Sequence, residues 1–165
     1  MSNMNILKAV LIAGSGILIL NSCTQKPTKT DSPVSTEQAV TKKLSVDGNY
    51  ANQDYEKRNE GYDWVGAVVQ NTDDHKISIK IRSRADKKKP TCTLDTEATK
   101  TKEGEYHAVL QGKNVVFTFT DKSMTITAEN PQDKDVLHFY CSGGASIADT
   151  YTKITTPLDP AQVAK

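Results

Sequence analysis

The stretch KISIKIRSR, residues 76–84, alternates without a break. Ile77, Ile79 and Ile81 fall on one side of an extended chain, and Lys76, Lys80, Arg82 and Arg84 fall on the other. Side chains two residues apart share a face only in a β-strand, so this segment buries its isoleucines as a strand and not as a helix. The same period runs on through the chain. Trp64 to Gln70 is apolar on both faces, as in a well-buried strand. Cys92, Leu94, Thr96 and Ala98 share a face, as do Tyr106, Ala108 and Leu110. Val115, Phe117 and Phe119 point in, with Val116, Thr118 and Thr120 out. Met124, Ile126 and Ala128 follow, then Leu137, Phe139 and Cys141, and a last strand over about Ile147 to Ile154. Turn residues separate them: Asn71–Asp74, Glu103-Gly104, Gly112–Asn114, Asp121–Ser123 and a polar loop around Pro131. About eight short strands with close-spaced turns predict an all-β fold, a small antiparallel barrel or sandwich.

Ahead of these strands stands NYANQDYEKRNEGYDW. Asn52 can cap a short helix, with Asp54 and Glu56 early, Lys57 and Arg58 late, and Gly61 past the end. That order suits the helix dipole and a helix stop. An irregular loop is the competing reading.

The first residues carry an address. A short polar start with one cation, Lys8, precedes the uncharged apolar run Ala9–Leu20. Such a run fits a signal peptide and is too short to span a bilayer as a helix. Leu20-Asn21-Ser22-Cys23 then resembles a bacterial lipobox, in which the cysteine becomes the lipidated first residue of the mature chain. An ordinary secretory signal, with Cys23 left as a free thiol, is the alternative. Acyl chains on Cys23 would fix the protein to a membrane. Thr24 stands where aspartate accompanies inner-membrane retention in some bacteria, which points to the outer membrane, facing the periplasm. Residues 1–22 are thus expected as signal peptide and 23–45, rich in Thr, Ser, Lys and Pro, as a flexible tether. A barrel domain is expected over 46–155 and a loose tail over 156–165.

Loss of residues 1–22 removes Lys8 and no acid, taking the formal charge from +1 to 0. A neutral mature chain argues against general nucleic-acid binding, which draws on a basic excess. Two cysteines remain, Cys92 and Cys141. An even pair in an exported protein reads as a disulfide, and both fall on faces assigned inward. Without His or Cys at ligand spacing beside them, they do not make a zinc site.

No catalytic constellation emerges. His75, His107 and His138 share no helix face or short ligand spacing, and nucleophile-elbow, zincin and phosphate-loop motifs are missing from the sequence. The expectation is a non-enzymatic protein without cofactor or metal. Two surfaces stand out. Lys80, Arg82 and Arg84, followed by Lys87, Lys88 and Lys89, form a basic strand that could meet an anionic envelope component, or could be an ordinary solvated face. The second surface is HFYCSGGASIADTYTK, residues 138–153. Gly143-Gly144 permits backbone angles closed to other residues, and Ser142 and Ser146 offer hydroxyls. Tyr151 and Lys153 share a strand face. A rigid hydroxyl-bearing tip for insertion into a partner is one reading; a hairpin turn or bulge is the other.

At these residues the chain resembles the small periplasmic and membrane-bound lysozyme inhibitors of Gram-negative bacteria. Those proteins combine a signal or lipobox with an eight-stranded antiparallel barrel, commonly with a disulfide, and a Ser-Gly motif near a tyrosine toward the C-terminus. The resemblance implies that Ser142 and Gly143 form a loop entering the lysozyme cleft. It implies that Ser146 and Tyr151 support that loop and that Lys153 supplies a cation. A lysozyme-type muramidase is then the expected partner. The runner-up is an interaction lipoprotein working through its basic strand. A third reading, a small-molecule carrier, is disfavoured because the inward residues suffice to fill a small barrel.

Overall fold

The computed structural model describes residues 43–84 and 91–160. The expected signal peptide 1–22, Cys23, the part of the expected tether up to residue 42, and Lys87, Lys88 and Lys89 lie outside the described residues. Thr41–Lys165 form one compact unit.

Eight antiparallel strands close into a barrel in sequential order. They are β1 (Gly48–Ala51), β2 (Val65–Asp73), β3 (Lys76–Ser83), β4 (Thr93–Lys102), β5 (Glu105–Leu110), β6 (Lys113–Phe119), β7 (Ser123–Ala128) and β8 (Thr150–Ile154). Closure comes from β1 pairing with β8, Tyr50 opposite Lys153. The alternating residues do what period two demands. Ile77, Ile79 and Ile81 are fully buried, and Lys76 and Lys80 are exposed. Tyr50, Val69, Val115, Phe117, Met124, Ile126 and Tyr151 fill the rest of the interior.

The seventh of the expected strands is absent. Leu137, Phe139 and Cys141 do not form a strand. Pro131–His138 is a 3₁₀ helix, opened by Asn130, whose side chain accepts a bond from the Gln132 amide. Leu137 is buried, but Phe139 is 65% exposed. The count of eight is restored by β1, a four-residue strand whose pattern is too brief to read. The final strand begins at Thr150 and not at Ile147, whose side chain is nonetheless fully buried.

The helix foreseen after Asn52 exists as a 3₁₀ helix, Gln53–Glu60, interrupted at Lys57. Asn52 does not cap it; its side-chain oxygen accepts from the Val65 amide instead and ties the segment to β2. This helix covers the outside of the barrel. Trp64 and Tyr55 stack edge to face at 4.7 Å, and Ala51 and Leu158 complete a second small core there. That cover explains why Trp64–Gln70 is apolar on both faces. Within the stretch expected as a loose tail, Leu158 is buried, and residues 161–165 lie outside the described residues. Gly66 makes room for Leu158, since a Cβ there would lie 2.6 Å from its Cδ1.

Two ends of the barrel follow from the strand directions. One end gathers Lys43–Asp47, the β2–β3 turn, the β4–β5 turn and the β6–β7 turn. There Asp47 accepts from the Asn71 backbone amide, and Leu44 reaches Gly104. The other end holds the β5–β6 turn, the Pro131–His138 helix, Thr91 and the loop from Phe139 to Asp149.

Candidate functional site

The loop preceding β8 is built on fixed supports. Cys141 is disulfide-bonded to Cys92, whose own side chain is completely buried. The residues around this bridge imitate a short strand. The Thr93 amide donates to Tyr140 O at 2.9 Å, and the Ser142 amide to Thr91 O at 2.7 Å. On the far side of the tip, Ser146 Oγ donates to Leu137 O, and the Ile147 amide donates to the same carbonyl at 2.9 Å. His138 Nδ1 lies 3.0 Å from Ala145 O, so that nitrogen carries the proton in this contact. Beneath, the Tyr151 hydroxyl donates to Ile147 O at 2.9 Å.

Between these anchors Ser142, Gly143 and Gly144 are all exposed. Gly143 and Gly144 have φ of 65° and 79°, left-handed values that glycine adopts without strain, and a Cβ on either would meet nothing within 4 Å. The segment is not a hairpin, because a 3₁₀ helix and not a strand precedes it. It is a protruding tip with a rigid base. Phe139 projects beside it, its ring held edge to face against Tyr140 at 5.3 Å.

The other residues singled out in the sequence are sorted by the fold. Ser146 and Tyr151 lie under the tip and brace it; Tyr151 is fully buried and presents nothing to a partner. Lys153 shares the inward face with Tyr151 but sits at the opposite end of the barrel. Its amide donates to Lys122 O in the β6–β7 turn, and Nζ donates to Ser45 O at 2.7 Å, above the Tyr50 ring. The sequence placed both on one strand face, which is correct, but that face is the interior.

Within the described part of the basic strand, Arg82 is neutralised and Lys76 and Lys80 are exposed. Arg82 makes a bidentate pair with Asp95 at 2.7 and 2.9 Å, and this holds the Asp95 carboxyl below its ordinary range. Arg84, expected on the outer face, is buried, with Nη1 3.5 Å from Tyr62 O. Across β4, Asp95 and Glu97 stand opposite Lys80 and Ser78. The outer face of β3 and β4 is therefore mixed in sign. The histidines remain apart: His75 in the β2–β3 turn, His107 on β5 between Glu105 and Glu129, and His138 beside the tip. Among the described residues no group of side chains is arranged to hold a metal ion.

Fold and site together define a class, a small disulfide-braced antiparallel β-barrel with an exposed Gly143-Gly144 tip. Comparisons with protein families, with curated proteins and with solved structures return no match.

Proposed function

We propose that this chain is a non-enzymatic envelope lipoprotein, held to the outer membrane on the periplasmic side by lipid on Cys23. It acts by docking its Ser142–Gly144 tip into the cleft of a protein partner. A lysozyme-type muramidase is the most concrete such partner. The observation that carries this reading is the tip itself: Ser142, Gly143 and Gly144 are exposed, the two glycines stand in open space, and the base is fixed by a disulfide and by hydrogen bonds of Ser142, His138, Ser146 and Ile147. A tip already ordered before binding loses little freedom on insertion, so more of its contact energy survives as affinity. Lys153 Nζ donates to Ser45 O at the far end, so this reading draws no cation from it.

Residues 24–165 are to be titrated against c-, g- and i-type lysozymes in a cell-wall clearing assay. Inhibition of at least one is expected, weakened by Ser142→Ala and unchanged by Lys153→Ala. Undiminished clearing by all three at about 10 µM protein, well above the range of a specific inhibitor, overturns the assignment.

A further inference from the structure

A groove of about 350 Å³ lies at the same end of the barrel as the tip, between the β5–β6 turn and the Pro131–His138 helix. Phe139 forms one wall, and Gln111, Gln132 and Asp135 line the rest, with Lys113 and Asp133. Phe139 is 65% exposed, yet its ring is oriented by Tyr140. An aromatic face left in water but held in place is a ready platform for an apolar surface.

Gln111 adds an independent observation. It is the single non-glycine residue with positive φ among the described residues, at 49°. It occupies the first position of a two-residue hairpin turn with Gly112, where asparagine or glycine adopts the required angles at less strain. A longer amide at such a position, in a residue that lines a groove, points from strain to use.

Charge narrows the ligand. Lys113 and Asp133 pair at 2.9 Å, and with Asp135 the groove carries two acids against one cation. That balance disfavours a phosphate or carboxylate ligand. What remains is planar amides and a carboxylate, which place donors and acceptors side by side, next to an aromatic face. Paired vicinal hydroxyls on one edge and a C–H-lined face on the other are the features of a pyranose ring. The volume lies at the small end of the ligand-pocket range, enough for one or two rings.

We propose that this groove is a subsite for a neutral pyranose unit, stacked on Phe139 and hydrogen-bonded by Gln111, Gln132 and Asp135. The site is independent of the muramidase reading: it binds sugar with no partner protein present.

The test is an amide-detected NMR titration of ¹⁵N-labelled residues 24–165. The probes are tetra-N-acetylchitotetraose and cellotetraose, each raised to about 10 mM, the range of weak single-site binding. Saturable shifts on Phe139 and on the backbone and side-chain amides of Gln111 and Gln132 are expected with at least one probe. Phe139→Ala and Gln111→Gly are each expected to weaken binding roughly tenfold, about 1.4 kcal/mol. Neither threatens the fold, since Phe139 is mostly exposed and glycine suits position 111; Gln111→Gly is expected to melt no lower than the parent. Lys122→Ala, at the far end, is expected to leave affinity unchanged. The proposal fails if neither probe gives saturable shifts, if the shifts centre elsewhere, or if either Phe139→Ala or Gln111→Gly binds as the parent does.

Discussion

Single side chains set the conditions under which this barrel holds. Burial, with the Asp47 carboxylate nearby, pushes the Tyr50 phenol up to about 12, and burial followed by Asp149 raises Tyr151 as well. In the unfolded chain these groups ionise near 10.0. A raised folded value means the stabilisation is complete below the unfolded value and drains away as pH rises past it. Urea midpoints are therefore expected to be flat up to about pH 9 and to fall steadily between about pH 10 and 12. Tyr50→Phe should blunt that fall. It should also lower neutral-pH stability by about 1 kcal/mol, because the hydroxyl donates to Val46 O at 2.8 Å. Gly66 is a second sensitive position. Gly66→Ala would drive a methyl into Leu158 and displace it from Trp64, for a loss of about 1–3 kcal/mol read by urea denaturation. A variant as stable as the parent would show that Leu158 does not hold that site.

At the level of elements, what could be read from the residues depended on how sharply their two faces differ. In β3 every inward residue up to Ile81 is apolar and Lys76 and Lys80 are charged, so period two is unmistakable. β1 has four residues, with glycine and asparagine first, too few to show any period. Leu137, Phe139 and Cys141 imitate a strand, but the Asn130-Pro131 pair was the contrary signal: a capping side chain followed by a residue suited to the first helical position. That Gly143-Gly144 would take angles closed to other residues was legible, while the choice between a tip and a hairpin turn or bulge was not, because it turned on the strand assigned before the pair. Nor was the exposed Phe139, because the strand assignment turned it inward. Lys153 was misjudged for a different reason: sharing a face with Tyr151 says nothing about which end of the barrel a side chain reaches. The Cys92–Cys141 link joins elements 49 residues apart, and replacing both cysteines by serine is expected to destabilise by about 4 kcal/mol on the chain-entropy argument. The local effect is separable. In native-state hydrogen exchange the Ser142 amide should lose protection first, while the β3 amides keep theirs.

Taken whole, the molecule is a sheet with its first and last strands zipped together, so its closing contacts are among its longest in sequence. Lys153 and Ser45 meet across 108 residues. Such topology folds slowly, because distant segments must meet before their pairing is rewarded. Membrane attachment is also a property of the whole chain. If Cys23 carries lipid, Cys23→Ser is expected to move the protein from the membrane fraction to the soluble one, while far-UV circular dichroism of the barrel stays the same. Retention in the membrane fraction would remove the lipid anchor from the reading.

The chain enters β1 at the end holding Lys43–Asp47, and the glycine tip crowns the other. With strands of up to ten residues, the barrel raises that crown by on the order of 2 nm. A bulky group joined near Lys43 would therefore leave that crown uncovered, because the two lie at opposite mouths of the same cylinder.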